Sequence, residues 1–422
     1  MLFRSEAYTI YTNTPVGGAM RGYGIPQVCF AIESFMDDVA NEIHMDPLEF
    51  RRKNLIQGYY EDAYLKPIAA NTNGIFECLE KGAEYIHWDE KRKEYAEQTG
   101  DVRKGVGMAL FSYKTGVWPI SLEIAGARLS LNQDGSVQLM LGATEIGQGA
   151  DTVFSQMVAE TLHTDMEHVH IKTVQDTDVS PFDTGAYASR QSFVTGTAVR
   201  HCAEILRDKI LAYAKTLLPE IDTRELTLKD NWIWAGDEQA ISLAALAEES
   251  YYSLTNSSVL TAEVSEQVKK NTIATGCCFA EVEVDIKLGK IKILHIINVH
   301  DSGKLLNPQL AEMQVHGGMS MGMGYGISEQ LILDEKTGRP LNGNLLDYKL
   351  MTMLDTPDIK ADFVELCDPM GPYGNKALGE PPAIPCAPAI RNAVLHATGV
   401  AFYENPLTPQ RLIDGFQKAG LI

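Results

Sequence analysis

The chain has 422 residues, 45% of them hydrophobic and 22% charged, which excludes wholesale disorder or a fibre and leaves room for two or three domains. Its 56 acidic and 36 basic residues give a formal charge of −20, a surface that repels phosphate backbones and argues against nucleic-acid binding. No apolar run reaches the roughly 18–20 residues of a membrane helix, and MLFRSEAYTIYTNTP has no secretory apolar core.

In chain order, residues 9–26 are rich in Gly, Pro and small side chains and read as an extended loop. Ala31, Phe35, Met36, Val39 and Ile43 recur at helical spacing, and that helix stops near Asp46-Pro47, where a second begins. The charged stretch Asp89–Lys104 is the expected linker. Alternation over Ala125–Leu141 around Asp134-Gly135 predicts a hairpin. A helix from about Ala150 to His163, a strand at His168–Val174 and a loop-to-helix passage over Asp176–Leu211 follow. The polar stretch 235–272 suggests a second boundary. Phe279–Asp301 alternates about a turn at Leu288-Gly289, Pro308–Gly318 reads as a helix continued by the Met/Gly-rich 319–326, and a Gly/Pro-rich loop at 371–388 precedes a helix near Ala389–Thr398. The order of these elements implies an α+β fold of several mixed-sheet and helix subdomains, divided as 1–92, 105–265 and 266–422.

The seven cysteines (Cys29, Cys78, Cys202, Cys277, Cys278, Cys367 and Cys386) form no CxxC pair, so no zinc or iron–sulfur motif and no disulfide framework is readable, and a reducing compartment is expected. His163, His168 and His170 lack a fourth ligand at matched spacing. Four glycine-bounded segments hold better chemistry. In GATEIGQGADT, Gly147, Gln148 and Gly149 turn a strand into a helix, whose free N-terminal amides would suit an oxyanion or pyrophosphate, although a plain tight turn explains the spacing equally well. In GNKALGEPPAIP, Glu380 is restrained by Gly379 and Pro381-Pro382, as befits a desolvated general base, or it is an exposed loop residue; Lys376 four residues earlier is a neighbouring charge or solvated surface. In GGAMRGYG, Arg21 offers a cation and Tyr23 an aromatic face, with an ordinary surface ion pair as the alternative for Arg21. In GAYASR, Ala188 and Ser189 offer backbone and hydroxyl donors, or simply form a turn.

Taken together, NTPVGGAMRGYGIPQ, GATEIGQGADT, DTGAYASRQSFVTG, NVHDSGKLLNPQLAEMQVHGG and NKALGEPPAIPCAPAIRNAV resemble the molybdenum-binding subunit of the xanthine dehydrogenase/aldehyde oxidoreductase family, in its C-terminal half. The resemblance implies a molybdopterin, in its cytosine dinucleotide form, whose molybdenum takes no direct protein ligand and lies in a cleft between subdomains. It implies Glu380 as the catalytic base, Arg21 and Ala188 beside the molybdenum, and Arg21, Tyr23 and Trp118 against the substrate. Gly147, Gln148, Gly149, Ser189 and Gln314 would contact the pterin. The implied activity is hydroxylation of purines such as hypoxanthine and xanthine in the cytoplasm, with the N-terminal half-subunit and iron–sulfur and FAD chains as partners. Another N-heterocycle or an aldehyde as substrate, and a half-subunit without catalysis of its own, are the competing readings.

Overall fold

The computed structural model describes residues 6, 8–56, 60–61, 67–68, 72–172 and 175–422. Helix α1 (Ile25–Glu42) starts after Gly24, whose φ of 83° is left-handed, and has Pro26 in its first turn. The Asp46 side chain caps α2 (Pro47–Asn54) by accepting from the N–H groups of Leu48 and Glu49. Arg51 of α2 donates to Glu33 at 2.9 Å and to Asp37 at 2.7 Å, so a buried three-charge cluster joins the two helices. The short strands β1 (Tyr60–Glu61) and β2 (Pro67–Ile68) pair antiparallel, ahead of α3 (Ile75–Ile86) and α4 (Trp88–Glu94).

The remaining elements are β3 (Val102–Lys114), β4 (Ile124–Leu131), β5 (Val137–Leu141), α5 (Ala150–Leu162), β6 (Val169–Ile171), α6 (Gly196–Leu217), β7 (Leu226–Lys229), β8 (Trp232–Ala235), β9 (Glu238–Ser242), α7 (Leu243–Tyr252), β10 (Thr261–Gln267), β11 (Ile273–Asp285), β12 (Lys290–Asp301), α8 (Pro308–Ile327), β13 (Asp358–Phe363), α9 (Cys386–Thr398) and α10 (Pro409–Lys418). One mixed sheet runs β10-β4-β5-β6, and α5 and α6 pack their apolar faces on it through Phe154, Val158, Val199 and Leu206. The strands β7, β8 and β9 form a small antiparallel sheet packed into the same core.

The second large sheet runs β13-β12-β11-β3 and is covered on both faces. Alternation along β11 explains why: Cys278 and Ala280 pack with Met319 of α8 and Ala393 of α9, while Cys277 and Phe279 pack with Leu79 of α3 and Trp88 of α4. Glycine is required where α9 crosses β3, because a Cβ at Gly105 or Gly107 would lie 2.2 or 2.1 Å from backbone atoms of Ala393. Among the described residues no helix is long and apolar enough to cross a membrane.

Several expectations give way. The apolar stripe of α1 is not its buried face. Cys29, Phe30, Glu33, Ser34, Asp37 and Ala40 are buried, because Arg51 satisfies the two carboxylates, whereas Phe35 is 47% exposed and Ile43 51%. The expected linker at Asp89–Lys104 begins inside α4, anchored by buried Trp88 and Tyr95 with Lys91 paired to Glu281, and ends as the first residues of β3. Charges on one exposed face disguised a packed helix. The polar stretch 235–272 contains β9, α7 and β10, and β10 returns to pair with β4. The strand β3 pairs along its length with β11. The expected strand ending at Val174 is short, β6, and residues 173–174 lie outside the described set.

Candidate active site

The loop entering α9 is fixed almost residue by residue. The Lys376 N–H donates to the Ser302 carbonyl at 2.8 Å and the Ala377 N–H to Thr115 Oγ1 at 3.0 Å. The Gly379 carbonyl accepts from Arg21 Nε at 2.6 Å, and the Glu380 N–H donates to Ser189 Oγ at 2.9 Å. A 3-10 turn at Pro381–Ala383 follows, its Pro382 carbonyl held by Asn298 Nδ2 of β12 at 2.9 Å. The Glu380 side chain is thereby turned inward and half-buried. Its carboxylate accepts from the N–H groups of Gly22 and Ala188, yet Oε2 is buried without a hydrogen-bond partner among the described residues. Burial pushes the Glu380 carboxyl above the ordinary glutamate range, with the two amides and the Arg21 charge opposing.

Arg21 is pinned between that loop and α8: besides Gly379, it donates through Nη2 to the Gln314 carbonyl at 2.8 Å and faces Gln314 Oε1 at 3.5 Å. Burial lowers its pKa, and Glu380 opposes that. Gly22 has a φ of 103° and no room for a Cβ, which would meet Pro26 at 2.6 Å; this tight bend is what points its N–H at Glu380. Tyr23 follows with a φ of 47° and is 72% exposed, an open ring beside the site.

Ala188 and Ser189 are consecutive left-handed residues, with φ of 48° and 51°, conformations that non-glycine residues adopt only under constraint. The constraint is Arg190, fully buried, which donates to Glu123 at 2.5 Å, to Asp183 at 2.6 Å and to the carbonyls of Gly185 and Ile124. The Ala188 carbonyl accepts from the Gly116 N–H at 2.9 Å, tying in the loop of half-buried Trp118, whose own carbonyl accepts from Lys114 Nζ.

The Gly147–Gly149 turn joins through Gln148, whose Nε2 donates to Gln191 Oε1 at 2.7 Å, two residues beyond Ser189. The sequence led us to expect free helix N-terminal amides here, and they are instead taken. The Glu145 carboxylate accepts from Gly147, Gly149 and Asp151 N–H groups at 2.7, 3.1 and 3.1 Å. Burial opposes its charge, but these donors hold its pKa below the ordinary value. A Cβ at Gly147 would meet nothing within 4 Å, whereas Gly149 abuts Leu310 of α8, the helix of Gln314.

An unbroken series of contacts therefore links Gln148, Gln191, Ser189, Glu380, Arg21 and Gln314 through the short segments between them. Tyr23 and Trp118 flank it through Gly22 and Gly116. Sequence reading missed Glu145, Arg190 and Gln191. The signal for Arg190 was available as a cation among small residues that precede a helix. Chemically, the arrangement is a desolvated carboxylate with one open oxygen beside a fixed cation, bordered by amide side chains, which suits proton removal next to developing negative charge.

Two regions match models described as molybdopterin cofactor-binding domains, residues 2–55 and residues 81–357. The chain is 49% identical to the xanthine dehydrogenase molybdenum-binding subunit of Escherichia coli O157:H7, covering 98% of this chain and 55% of that protein. It is 31% identical to a probable hypoxanthine oxidase, XdhD, of Escherichia coli K12, covering 98% of this chain and 43% of that protein. Its fold superposes on quinoline 2-oxidoreductase of Pseudomonas putida 86 with a TM-score of 0.86 at 24% identity, over 95% of this chain and 53% of that one. The chain thus spans about half the length of these relatives.

Proposed function

The chain belongs to the molybdopterin cofactor-binding domain family and is homologous to xanthine dehydrogenase molybdenum-binding subunits, an oxidoreductase family; from this we propose that it supplies the proton-accepting carboxylate and one wall of the cofactor cleft in a cytoplasmic hydroxylase of purines such as hypoxanthine and xanthine. The single observation that carries the reading is the buried Oε2 of Glu380, without a hydrogen-bond partner among the described residues, in a carboxyl that burial raises in pKa.

The residues fit a molybdenum pterin. Ser189 and Gln314 offer hydrogen-bonding groups for the pterin, whereas Gln148, whose Nε2 donates to the Thr144 carbonyl and Gln191 Oε1, would offer only the second lone pair of an Oε1 that accepts from the Ile146 N–H; the turn at Gly147 leaves open space where a side chain would stand. Arg21 and Ala188 would border the molybdenum, and the pterin would carry the cytosine dinucleotide form. That group supplies two-electron redox chemistry and transfer of a water-derived oxygen. Glu380 Oε2 takes up the proton released in the step, and burial, by raising its pKa, makes it a stronger proton acceptor than an exposed glutamate. The Arg21 guanidinium, unable to swing because Gly379 and Gln314 hold it, stabilises negative charge forming on the substrate. Tyr23 gives a flat ring an exposed aromatic face, and half-buried Trp118 would line the substrate pocket with it.

Electrons would leave through iron–sulfur and FAD chains, since the seven scattered cysteines make no cluster motif here. A polypeptide equivalent to the rest of the relatives' length would cover two apolar surfaces: the stripe of Val28, Ile32 and Phe35 on α1, and the loop carrying Leu345, Leu346 and Leu354.

The test is assembly with that polypeptide and the partner chains, followed by molybdenum analysis and steady-state assays. We expect bound molybdenum and preference for hypoxanthine and xanthine over nicotinate and benzaldehyde. Glu380→Gln should lower kcat by about 10²–10⁴-fold or more. Full turnover in that variant, or an assembled complex that takes no molybdenum, overturns the reading.

A further inference from the structure

We infer that Lys376 is a positioning residue for Glu380, acting through a buried ion pair with Asp301 that sets where the loop enters the site. The inference builds on the reading of Glu380 as proton acceptor. Lys376 Nζ lies 2.8 Å from Asp301 Oδ2, and both side chains are completely shielded from solvent. Neither alternative weighed from the sequence for Lys376 anticipated this, because Asp301 lies 75 positions away.

Asp301 is a junction. It ends β12, and its Oδ2 also accepts from the N–H of Gly74, the residue that opens α3, at 2.8 Å. Its Oδ1 accepts from the Gly303 N–H at 3.2 Å. Lys376 Nζ donates a second bond to the Thr72 carbonyl at 3.1 Å. One cation therefore ties the catalytic loop to the end of β12 and to the segment before α3, both part of the framework rather than of the cleft. Beyond it the loop is held at Ala377, Gly379 and Glu380 by Thr115, Arg21 and Ser189, which are themselves loop or strand-end residues of the cleft. Without Lys376 every remaining side-chain tether between residues 376 and 380 would come from the cleft, so cleft and carboxylate would move together.

The choice of residue types points the same way. A buried ion pair adds little net stability over packed apolar residues, so geometric specificity is the better account of retaining one. Neither of its two charges is among the groups that set the Glu380 carboxyl, which are the Gly22 and Ala188 amides and the Arg21 guanidinium, while the Ser189 hydroxyl accepts from the Glu380 N–H. Nearby His300 on β12 adds no charge: burial first, and Arg21 second, bring its pKa down to about 3. Any influence of Lys376 on Glu380 then runs through backbone placement.

The experiment compares the full chain with Lys376→Met/Asp301→Asn, which removes both charges while the asparagine oxygen still accepts from one of the two amides, Gly74 or Gly303. Two readouts apply: amide exchange across 376–380 by mass spectrometry, and Glu380 titration by infrared difference against Glu380→Gln. We expect exchange at least about tenfold faster and a Glu380 titration that falls back toward the ordinary range, with the thermal midpoint little changed. Unchanged exchange and titration in the folded double variant overturn the inference. Should that variant fail to fold, Lys376→Arg and Lys376→Gln decide: the arginine keeps the raised titration and the glutamine loses it, and identical behaviour of the two overturns the inference. Because neither readout uses turnover, the inference can fail while Glu380→Gln still abolishes activity, and the reverse.

Discussion

Arg21 and Gly379 stand 358 positions apart, yet Nε of the first donates to the carbonyl of the second across 2.6 Å. This bond places a fixed cation one residue from the Glu380 carboxylate, and the same guanidinium reaches Gln314 on α8. A lysine keeps the charge but has neither the planar fork nor the reach for both carbonyls. Arg21→Lys should therefore lower kcat of the assembled enzyme about 10–100-fold, the equivalent of one charge-assisted hydrogen bond. Steady-state assays check it, and wild-type turnover in the variant would remove Arg21 from the proposed chemistry.

Glu380 makes the fold pH-sensitive in a definite direction. Burial raises its folded-state pKa, so the protonated form suits the fold and its contribution is complete below the unfolded value of roughly 4.3. That contribution is lost as pH rises through the folded value. Glutamine, neutral at every pH, escapes the loss. The thermal midpoint of Glu380→Gln should match wild type near pH 4, exceed it as pH rises toward the folded value and level off above that, as melting curves between about pH 4 and 8 would reveal.

Glu145 has the opposite sign. Its carboxylate is held below the ordinary value by the amides of Gly147, Gly149 and Asp151 acting against burial, so it stabilises the fold above the unfolded pKa of roughly 4.3 and ceases to as pH falls through the folded value. Glu145→Gln should be less stable than wild type at pH 7, by about 0.5–2 kcal/mol for a lost helix cap, with the gap closing in acid. Denaturant midpoints at two pH values suffice, and a gap that widens in acid would contradict the assignment.

Arg190 holds Ala188 and Ser189 in left-handed conformations from beneath, paired with two buried carboxylates. Arg190→Leu leaves Glu123 and Asp183 without their cation and should remove about 3–5 kcal/mol of folding stability. Adding Glu123→Gln and Asp183→Asn to Arg190→Leu should restore part of it. Denaturant unfolding of the two variants separates charge burial from packing.

Periodicity was a sound guide wherever one element packs along its whole length. The hairpins around Gly135 and Gly289 and the helix beginning at Ala150 follow directly from alternation and turn chemistry. It misled on α1, because an amphipathic pattern shows which residues are apolar and not which face this chain covers, and Arg51 made polar Glu33 and Asp37 the buried choice. The glycine-bounded segments were visible as segments. Their convergence was not, since it depends on bonds such as Glu380 to Ser189 and Gln148 to Gln191 that no local pattern encodes. Glu145 escaped notice for a related reason: its carboxylate folds back on its own turn, and spacing alone does not distinguish an amide awaiting a ligand from one already capped.

The uncovered stripe on α1, with Val28 53% and Ile32 48% exposed, bears on the life of this chain in a cell. Under the proposed assembly, a copy without its companion polypeptide would display an oily seam of the kind that chaperones and proteases read as unfinished folding, so surplus copies would be cleared and stoichiometry enforced after translation.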